Sequence, residues 1–156
     1  MITANSVASE TLAINAPAGI VWEVITDFSS YGEWNQFCSS ITGELRMGEP
    51  LHMEVDLGNG PQTQVESITC IEPGRRIVWS MENKPGDPVH ADRAQEITPI
   101  DEYSCTYYTV DEFGGDMCGP VIEAMGKAVE DGFNLCARNI KARAEAIYQA
   151  RRAGAQ

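Results

Sequence analysis

Residues 121–148 of the chain read VIEAMGKAVEDGFNLCARNIKARAEAIY. Apolar side chains recur at every third or fourth position of this stretch, and charged side chains such as Glu123, Lys127 and Glu145 occupy the other faces. The apolar positions are Ile122, Met125, Val129, Phe133, Cys136, Ile140, Ala144 and Ile147. The spacing predicts one amphipathic helix of about 30 residues, about 45 Å long, that ends near Arg151. We expect residues 150–156 to form a frayed tail.

The segment before this helix has the two-residue period of β-strands. Leu51, Met53, Val55 and Leu57 alternate with polar residues, as in a strand that buries one face. Strands are predicted from Ser9 to Ile14, from Cys38 onward, and at residues 51–57, 64–71, 76–81, 90–97 and 103–113. Pro-Gly at residues 73–74 suits a tight hairpin between two of these strands.

Two short helices are predicted between the first and second strands. Pro17 can open a helix because proline is tolerated in the first helical turn, and apolar residues then recur at helical spacing to Phe28. A second small helix or turn is expected at residues 33–37. The C-terminal helix must bury its apolar face, and the sheet offers the only large surface. We therefore predict a single α+β domain over residues 1–156, in which a curved antiparallel sheet of about seven strands wraps around the long helix.

Composition and charge exclude several classes of function. The formal net charge is −12 and the isoelectric point is about 4.4, so we expect no binding to nucleic acid. No apolar run approaches the roughly 20 residues that cross a bilayer, which predicts no membrane insertion. The first residues lack the pattern of a secretory signal, so we expect a cytoplasmic protein. The charge does not decide the oligomeric state, and a homodimer stays among the alternatives.

Cysteine and histidine usage gives no sign of a metal centre. The five cysteines are scattered without a Cys-x-x-Cys pair, and the chain has only two histidines, His52 and His90. This pattern predicts neither a disulfide framework nor a metal site. The sequence also contains no glycine-rich nucleotide-binding loop, so we predict that the protein uses no cofactor.

Several short motifs occur in the order found in a known superfamily. They are INAP (14–17), VWEVITDF (21–28), YGEWN (31–35), TGEL (42–45), EPGRRIVW (72–79) and FGG (113–115). Over residues 10–148 the chain resembles the START-like, birch-pollen-allergen-like helix-grip superfamily, in the polyketide cyclase/dehydrase branch called SRPBCC. The resemblance implies the helix-grip fold with a cavity between the sheet and the C-terminal helix. It transfers no catalytic residue, because the superfamily includes lipid carriers, hormone receptors, cyclases and chaperone regulators.

Residues of one parity on each strand should line this cavity, because side chains alternate across a strand. At residues 51–57, hydropathy indicates which side chains face inward. At residues 76–81 the hairpin register indicates it, because the register pairs Ile68 with Trp79. For the last two strands, the family resemblance implies which side chains face inward. The remaining lining residues come from the apolar face of the C-terminal helix. The predicted ligand-binding residues are Met53, Val55, Trp79, Met81, Arg93, Gln95, Tyr107, Thr109, Asp111, Met125, Val129 and Phe133. The same side chains could pack on one another as a solid core, but the resemblance favours a cavity.

Four of these residues are polar: Arg93, Gln95, Thr109 and Asp111. An unpaired charge is costly in an apolar interior, so Arg93 and Asp111 are expected to pair across adjacent strands. Inside the cavity such a pair would orient a carbonyl, hydroxyl or carboxylate group of a ligand. At the rim of the sheet it would be a solvated pair, and the sequence leaves both placements open.

Three functions are compatible with these residues and motifs. The leading hypothesis is a protein that binds a small hydrophobic molecule such as a lipid, an aromatic metabolite or a polyketide-like compound. The second is a cofactor-free cyclase, dehydratase or isomerase, in which Arg93, Asp111 and Tyr107 are the candidate catalytic groups. Arg93 should lower the pKa of Asp111, which argues against that aspartate as a base. The third is a protein-interaction module, for which the sequence shows no clear apolar surface patch.

Overall fold

In the computed structural model, which describes residues 1–155, eight antiparallel strands form one sheet against a long helix. The strands are β1 (Ser6–Ala8), β2 (Leu12–Ile14), β3 (Cys38–Thr42), β4 (Pro50–Asp56), β5 (Pro61–Glu72), β6 (Arg76–Ser80), β7 (His90–Asp101) and β8 (Ser104–Gly114). The helices are α1 (Ala18–Thr26), α2 (Tyr31–Trp34) and α3 (Cys118–Gly154). The strands lie in the order β1-β8-β7-β6-β5-β4-β3, and β2 pairs with another part of β8. This arrangement confirms the predicted α+β helix-grip fold.

The strand predicted from Ser9 to Ile14 is a strand only over its last three residues, in β2, and an additional strand, β1, lies before it, which raises the count from about seven to eight. β1 pairs with residues 110–112 of β8, and β2 pairs with residues 105–107 of the same strand. Between them the backbone leaves the sheet, because the Glu10 amide donates to Oδ1 of Asn134 on α3 at 2.8 Å. The interruption therefore depends on a contact 124 residues away in sequence.

Two short helices connect β2 to β3, with a 3₁₀ turn at Phe28–Ser30 between them. α2 begins at Tyr31, two residues before the helix or turn that was predicted at 33–37. Tyr31 is buried, and its hydroxyl donates a hydrogen bond to the Ile25 carbonyl at the end of α1. This bond pulls the second helix towards the first. α1 packs on α3, and α2 packs on β3.

The long helix α3 buries one face against the sheet, although the buried positions differ from the prediction near its start. Its buried residues are Ile122, Gly126, Gly132, Phe133, Cys136, Ala137, Ile140 and Ala144. Met125 is 41% exposed, whereas Gly126 is buried beside the Ile2 side chain. The N-terminal segment therefore covers a neighbouring strip of the helix. Among residues 1–155, no helix is both long and apolar enough to cross a membrane.

α3 continues to Gly154, so residues 150–154 are helical where the sequence predicted a frayed tail. Two arginines explain the added length. Arg151 forms an ion pair with Glu23 of α1 at 2.7 Å, and the guanidinium of Arg152 lies 5.3 Å from the centre of the Tyr148 ring. The first contact joins the end of α3 to α1, and the second lies within the last turns of α3. Gln156, the end of the predicted tail, lies outside the described residues.

The registers of the central strands decide which side chains face α3. The hairpin at residues 73–74 pairs Ile68 with Trp79, as predicted, and a bulge then shifts Cys70 opposite Val78. β7 and β8 place Arg93 opposite Asp111, and likewise pair Gln95 with Thr109 and Ile97 with Tyr107. We call the surface that packs on α3 the inner face of the sheet.

Candidate functional site

Two adjoining cavities lie between the inner face of the sheet and α3. The inner cavity has a volume of about 60 Å³ and the outer cavity a volume of about 180 Å³. They share five lining residues: Leu57, Gln64, Glu66, Asp111 and Val129. The inner cavity is also lined by Phe37, Met53, Val55, Trp79, Arg93 and Phe133. The outer cavity is also lined by Met81, Val89, Ala91, Phe113, Val121, Ile122, Met125 and Gly126.

Nine of the twelve residues predicted to bind a ligand line one of these cavities. They are Met53, Val55, Trp79, Met81, Arg93, Asp111, Met125, Val129 and Phe133. Met81 and Met125 are 38% and 41% exposed, so they form a flexible apolar edge around the mouth of the outer cavity. The other three predicted residues lie deeper in the protein, outside both linings.

Those three residues, Gln95, Tyr107 and Thr109, form a buried group that we call the floor cluster. The Tyr107 hydroxyl donates to Oε1 of Gln95 at 2.6 Å, and the Thr109 hydroxyl donates to the Ala94 carbonyl at 2.8 Å. Nε2 of Gln95 is buried without a hydrogen-bond partner among residues 1–155. Burial also raises the pKa of Tyr107, which keeps its phenol protonated. Tyr107, a candidate catalytic residue from the sequence, thus borders neither cavity.

Arg93 reaches from β7 into a cage of aromatic rings and is only 7% exposed. Its guanidinium carbon lies 4.6 Å from the ring centre of Phe133, 5.5 Å from that of Phe37 and 5.6 Å from that of Trp79. Cation–π attraction of this kind grows when the cation is removed from water. The rings come from the segment before β3, from β6 and from α3, so the cage exists only in the folded chain.

Hydrogen bonds occupy part of the Arg93 guanidinium and leave one nitrogen free. Nε donates to the Thr109 hydroxyl at 3.1 Å, and Nη2 contacts Sγ of Cys136 at 3.8 Å. Nη1 donates to none of residues 1–155, although the Tyr107 phenol lies close enough for the Arg93 guanidinium to oppose the rise in its pKa. Because Arg93 lines the inner cavity, Nη1 is a donor that a ligand or a water molecule can use.

Asp111 lies opposite Arg93 on the adjacent strand, and both side chains face the cavities rather than the outer rim of the sheet. The expected ion pair between them is not formed: no ion pair between the described residues involves Arg93. The aromatic cage and Thr109 hold the guanidinium away from the carboxylate. Burial raises the pKa of Asp111 to about 6, although the charge of Arg93 opposes this. Arg93 thus acts on this pKa in the expected direction, and burial outweighs its effect.

Glu66 on β5 is the main candidate site residue that the sequence did not indicate. It lines both cavities, and its carboxyl group accepts no hydrogen bond from the described residues. Burial and the negative charge of Asp111 raise the pKa of Glu66 to about 8, against the opposing charge of Arg93. We call Glu66, Arg93 and Asp111 the cavity polar group. The predicted pairing of Ile68 with Trp79 contained the signal, because residue 66 shares a strand face with residue 68.

The donors and acceptors at the cavities suit an organic ligand. Within residues 1–155, no three His, Cys, Asp or Glu side chains gather in a way that could hold a metal ion. The cavity polar group and the Gln64 amide can hydrogen-bond to a ligand, and the two carboxyl groups can also exchange protons with it. The remaining lining is apolar or aromatic, which is typical of small-molecule sites.

Most of the chain matches one known protein family. The family model described as polyketide cyclase/dehydrase and lipid transport matches residues 7–145. No curated protein matches the sequence.

Several solved structures share the fold. The Zhui aromatase/cyclase from Streptomyces sp. R1128 is 20% identical in sequence and has a TM-score of 0.70. The match covers 90% of this chain and 93% of the Zhui chain. A START superfamily protein from Mycobacterium smegmatis is 14% identical and has a TM-score of 0.65. The match covers 92% of this chain and 99% of that protein. Norcoclaurine synthase from Thalictrum flavum is 15% identical and has a TM-score of 0.62. The match covers 88% of this chain and 84% of the synthase chain. At these identities the likeness establishes the fold alone.

Proposed function

The chain belongs to the polyketide cyclase/dehydrase and lipid transport family, and from this premise we propose that it binds a small hydrophobic molecule between the sheet and α3. The observation that carries the proposal is the cavity polar group. A buried guanidinium with an unused donor, beside two carboxyl groups without protein partners, lies in an otherwise apolar cavity. Buried polar groups in proteins are nearly always hydrogen-bonded, so a bound molecule is the natural partner for these three.

The size of the cavities supports a ligand built on a single ring. An apolar cavity of about 150 Å³ accepts benzene, and the outer cavity has a volume of about 180 Å³. Both cavities are smaller than the roughly 300–1,000 Å³ typical of drug-sized ligands. The structure of norcoclaurine synthase, which shares this fold, contains dopamine and hydroxybenzaldehyde, and each of these has one ring. Of the lipid, aromatic and polyketide-like candidates, the volume therefore favours a small aromatic metabolite.

Native mass spectrometry of the protein purified from its own host, with extraction of the bound material, tests this proposal. We expect an apolar compound to co-purify and to bind the emptied protein again. Val129→Phe is the informative variant, because Val129 lines both cavities and a larger ring there fills the shared space.

Val65→Phe is the matched control, because Val65 is 51% exposed and lines neither cavity. Affinity for the compound should fall at least tenfold in Val129→Phe and stay unchanged in Val65→Phe. Equal binding by both variants would place the compound outside the cavities and refute the proposal.

A second candidate function, acid–base catalysis on the bound molecule, is favoured by the raised pKa values of Asp111 and Glu66. Groups with pKa values near neutrality are effective general acids and bases. Arg93 would polarise a carbonyl oxygen through Nη1, Asp111 would take a proton from the adjacent carbon, and Glu66 would donate one. The catalysed reaction would then be a cyclisation, dehydration or isomerisation without a cofactor.

Incubation of the co-purified compound with the protein separates the two functions. A change in its mass or absorption spectrum that Asp111→Asn abolishes would establish the enzyme. Unchanged compound, recovered in full after prolonged incubation, would leave the binding function alone. Conversion at the wild-type rate by Asp111→Asn would remove Asp111 from the role of base.

A further inference from the structure

We propose that Asp111 determines the charge of the ligand: by neutralising Arg93 it makes the site accept uncharged ring-sized molecules that carry a carbonyl or hydroxyl group and reject carboxylates. This inference rests on the proposed binding function. It concerns selection between ligands of equal shape, which the binding function leaves open.

The placement of the charges gives the first support. Arg93 and Asp111 are register partners on β7 and β8, and both line the inner cavity. They do not form an ion pair, and the guanidinium uses Nε and Nη2 for its hydrogen bonds, which leaves Nη1 as a donor for a ligand. Charges on neighbouring side chains still interact strongly in a poorly hydrated interior. Asp111 therefore offsets the charge of Arg93 without occupying its donor.

The other elements around the cavities leave this charge balance unaltered. β4, β6 and α3 contribute only apolar or aromatic lining side chains. The other charged groups that act on the pair are Glu66 of β5 and Asp92 of β7, both acidic. Asp92 is exposed and borders neither cavity. One cation thus faces at least two acidic side chains.

The protonation states of the two carboxyl groups at neutral pH determine the net charge of the cavity polar group. Glu66, with its raised pKa of about 8, holds a proton and is an uncharged donor. Asp111, with a pKa of about 6, is mostly ionised. The cavity polar group then carries no net charge and presents two donors, Nη1 of Arg93 and the carboxyl proton of Glu66. An uncharged ligand oxygen can accept from both.

A ligand carboxylate would bring a second negative charge to a cation that Asp111 already balances. It would lose its hydration on entry and gain no compensating charge, which is strongly unfavourable in a low-dielectric cavity. Protonation of Asp111 removes the obstacle, because Arg93 is then free to pair with the carboxylate. The selection should therefore weaken as the pH falls through about 6.

Benzamide and benzoate are suitable probes, because they have the same planar shape and differ in charge. Calorimetric titration of the wild-type protein at pH 7.5 should give at least tenfold tighter binding of benzamide. In Asp111→Asn, benzoate should gain at least tenfold at the same pH. Glu112→Gln is the control, because Glu112 is the next residue of β8 and is exposed; its ratio of affinities should equal that of the wild type.

The wild type offers a second test that does not depend on a variant. Benzoate remains an anion at pH 5.5, so its affinity for the wild type should rise several-fold between pH 7.5 and pH 5.5 while that of benzamide stays constant. Equal affinities of the two probes at pH 7.5, or a benzoate affinity independent of pH, would overturn the selection by Asp111 and leave the binding function intact. Failure of both probes to bind at any pH would count against the binding function itself.

Discussion

The floor cluster and the cavity polar group come from neighbouring positions of the same sheet and differ in how many of their polar atoms are hydrogen-bonded within the protein. Thr109 in the floor donates to Ala94 and accepts from Arg93, and Tyr107 donates to Gln95. Two residues further along β8, the carboxyl group of Asp111 accepts no hydrogen bond from the described residues. The hydroxyl groups of the floor are paired within the protein, and only Nε2 of Gln95 lacks a partner there among the described residues. In the cavity polar group, by contrast, neither carboxyl group has a hydrogen-bond partner among those residues.

The difference originates in the residues of α3 that cover each region. Cys136 is 2% exposed, contacts Nη2 of Arg93 beside Thr109, and lies close enough to the Tyr107 phenol to raise its pKa, so α3 covers the floor cluster closely. Two to three turns earlier, Gly126 and Val129 are small, and the space they leave belongs to the outer cavity. One helix thus closes the sheet tightly at one end and leaves room at the other. We expect the floor cluster to govern stability and the cavity group to govern binding and pH dependence.

The largest expected effect is a pH-dependent stabilisation by Glu66→Gln. The pKa of Glu66 is about 8 in the folded protein and near 4.5 in the unfolded chain, so the folded state binds the extra proton between these values. Wild-type stability should therefore decrease as the pH rises, and the advantage of Glu66→Gln should grow by about 1.4 kcal/mol per pH unit from pH 5.5 to 7.5.

Urea denaturation at three pH values measures this difference. Glu112→Gln removes the same charge from the exposed face of β8, and its curve should stay parallel to that of the wild type. If the curve for Glu66→Gln is also parallel, Glu66 is ionised in the folded protein, and the contrast between the two regions is lost.

A smaller effect, without pH dependence, is expected for Thr109→Val in the floor cluster. Valine keeps the shape of Thr109, which is fully buried, but removes the acceptor for Nε of Arg93 and the donor to Ala94. Loss of a buried hydrogen bond to a charged group should cost about 1–3 kcal/mol of unfolding free energy.

Thr106→Val on the same strand is the matched control, because Thr106 belongs to the outer face and has no partner in the floor cluster. Its stability should change by no more than about 0.5 kcal/mol. A loss for Thr109→Val that disappears at high or low pH would mean that the floor titrates, contrary to the expected division between floor and cavity.

The sequence predicted the parts of this contrast that depend on local patterns. The long helix followed from its apolar spacing, and the placement of Arg93 opposite Asp111, with Gln95 and Thr109 on the same face, followed from strand parity and the family resemblance. β1 was not predicted, and the predicted strand began at Ser9, three residues before β2, where the Glu10 amide instead bonds to the distant Asn134.

The errors at the site have the same origin. In the segment of residues 64–66 the only apolar residue is Val65, which is 51% exposed, so hydropathy points to the wrong face and hides Glu66. The expected ion pair between Arg93 and Asp111 is absent because rings from remote segments, those of Phe37 and Phe133, attract the guanidinium. Neither ring could be placed beside Arg93 from the sequence alone.

The smallest effect is expected at the mouth of the outer cavity, where Met81→Ala and Met125→Ala should weaken binding and leave stability nearly unchanged. Both side chains are more than a third exposed, so truncation should alter the unfolding free energy by at most about 0.5 kcal/mol. Each methionine lines the outer cavity, and removing one should uncover about 40 Å² of a bound ring. At about 25 cal/mol per Å² this costs about 1 kcal/mol, or about fivefold in Kd.

Met47→Ala is the control for this last pair, because Met47 is 60% exposed and borders neither cavity. Its affinity for benzamide should equal that of the wild type. If all three variants bind equally well, the ligand does not reach the outer cavity. Binding would then depend on the inner cavity alone, and a volume of about 60 Å³ would have to expand before a ring could enter. If Met81→Ala or Met125→Ala also destabilises the fold by more than about 1 kcal/mol, the mouth of the outer cavity is part of the packed core. The division of roles between the floor cluster and the cavity polar group would then not extend to this end of the molecule.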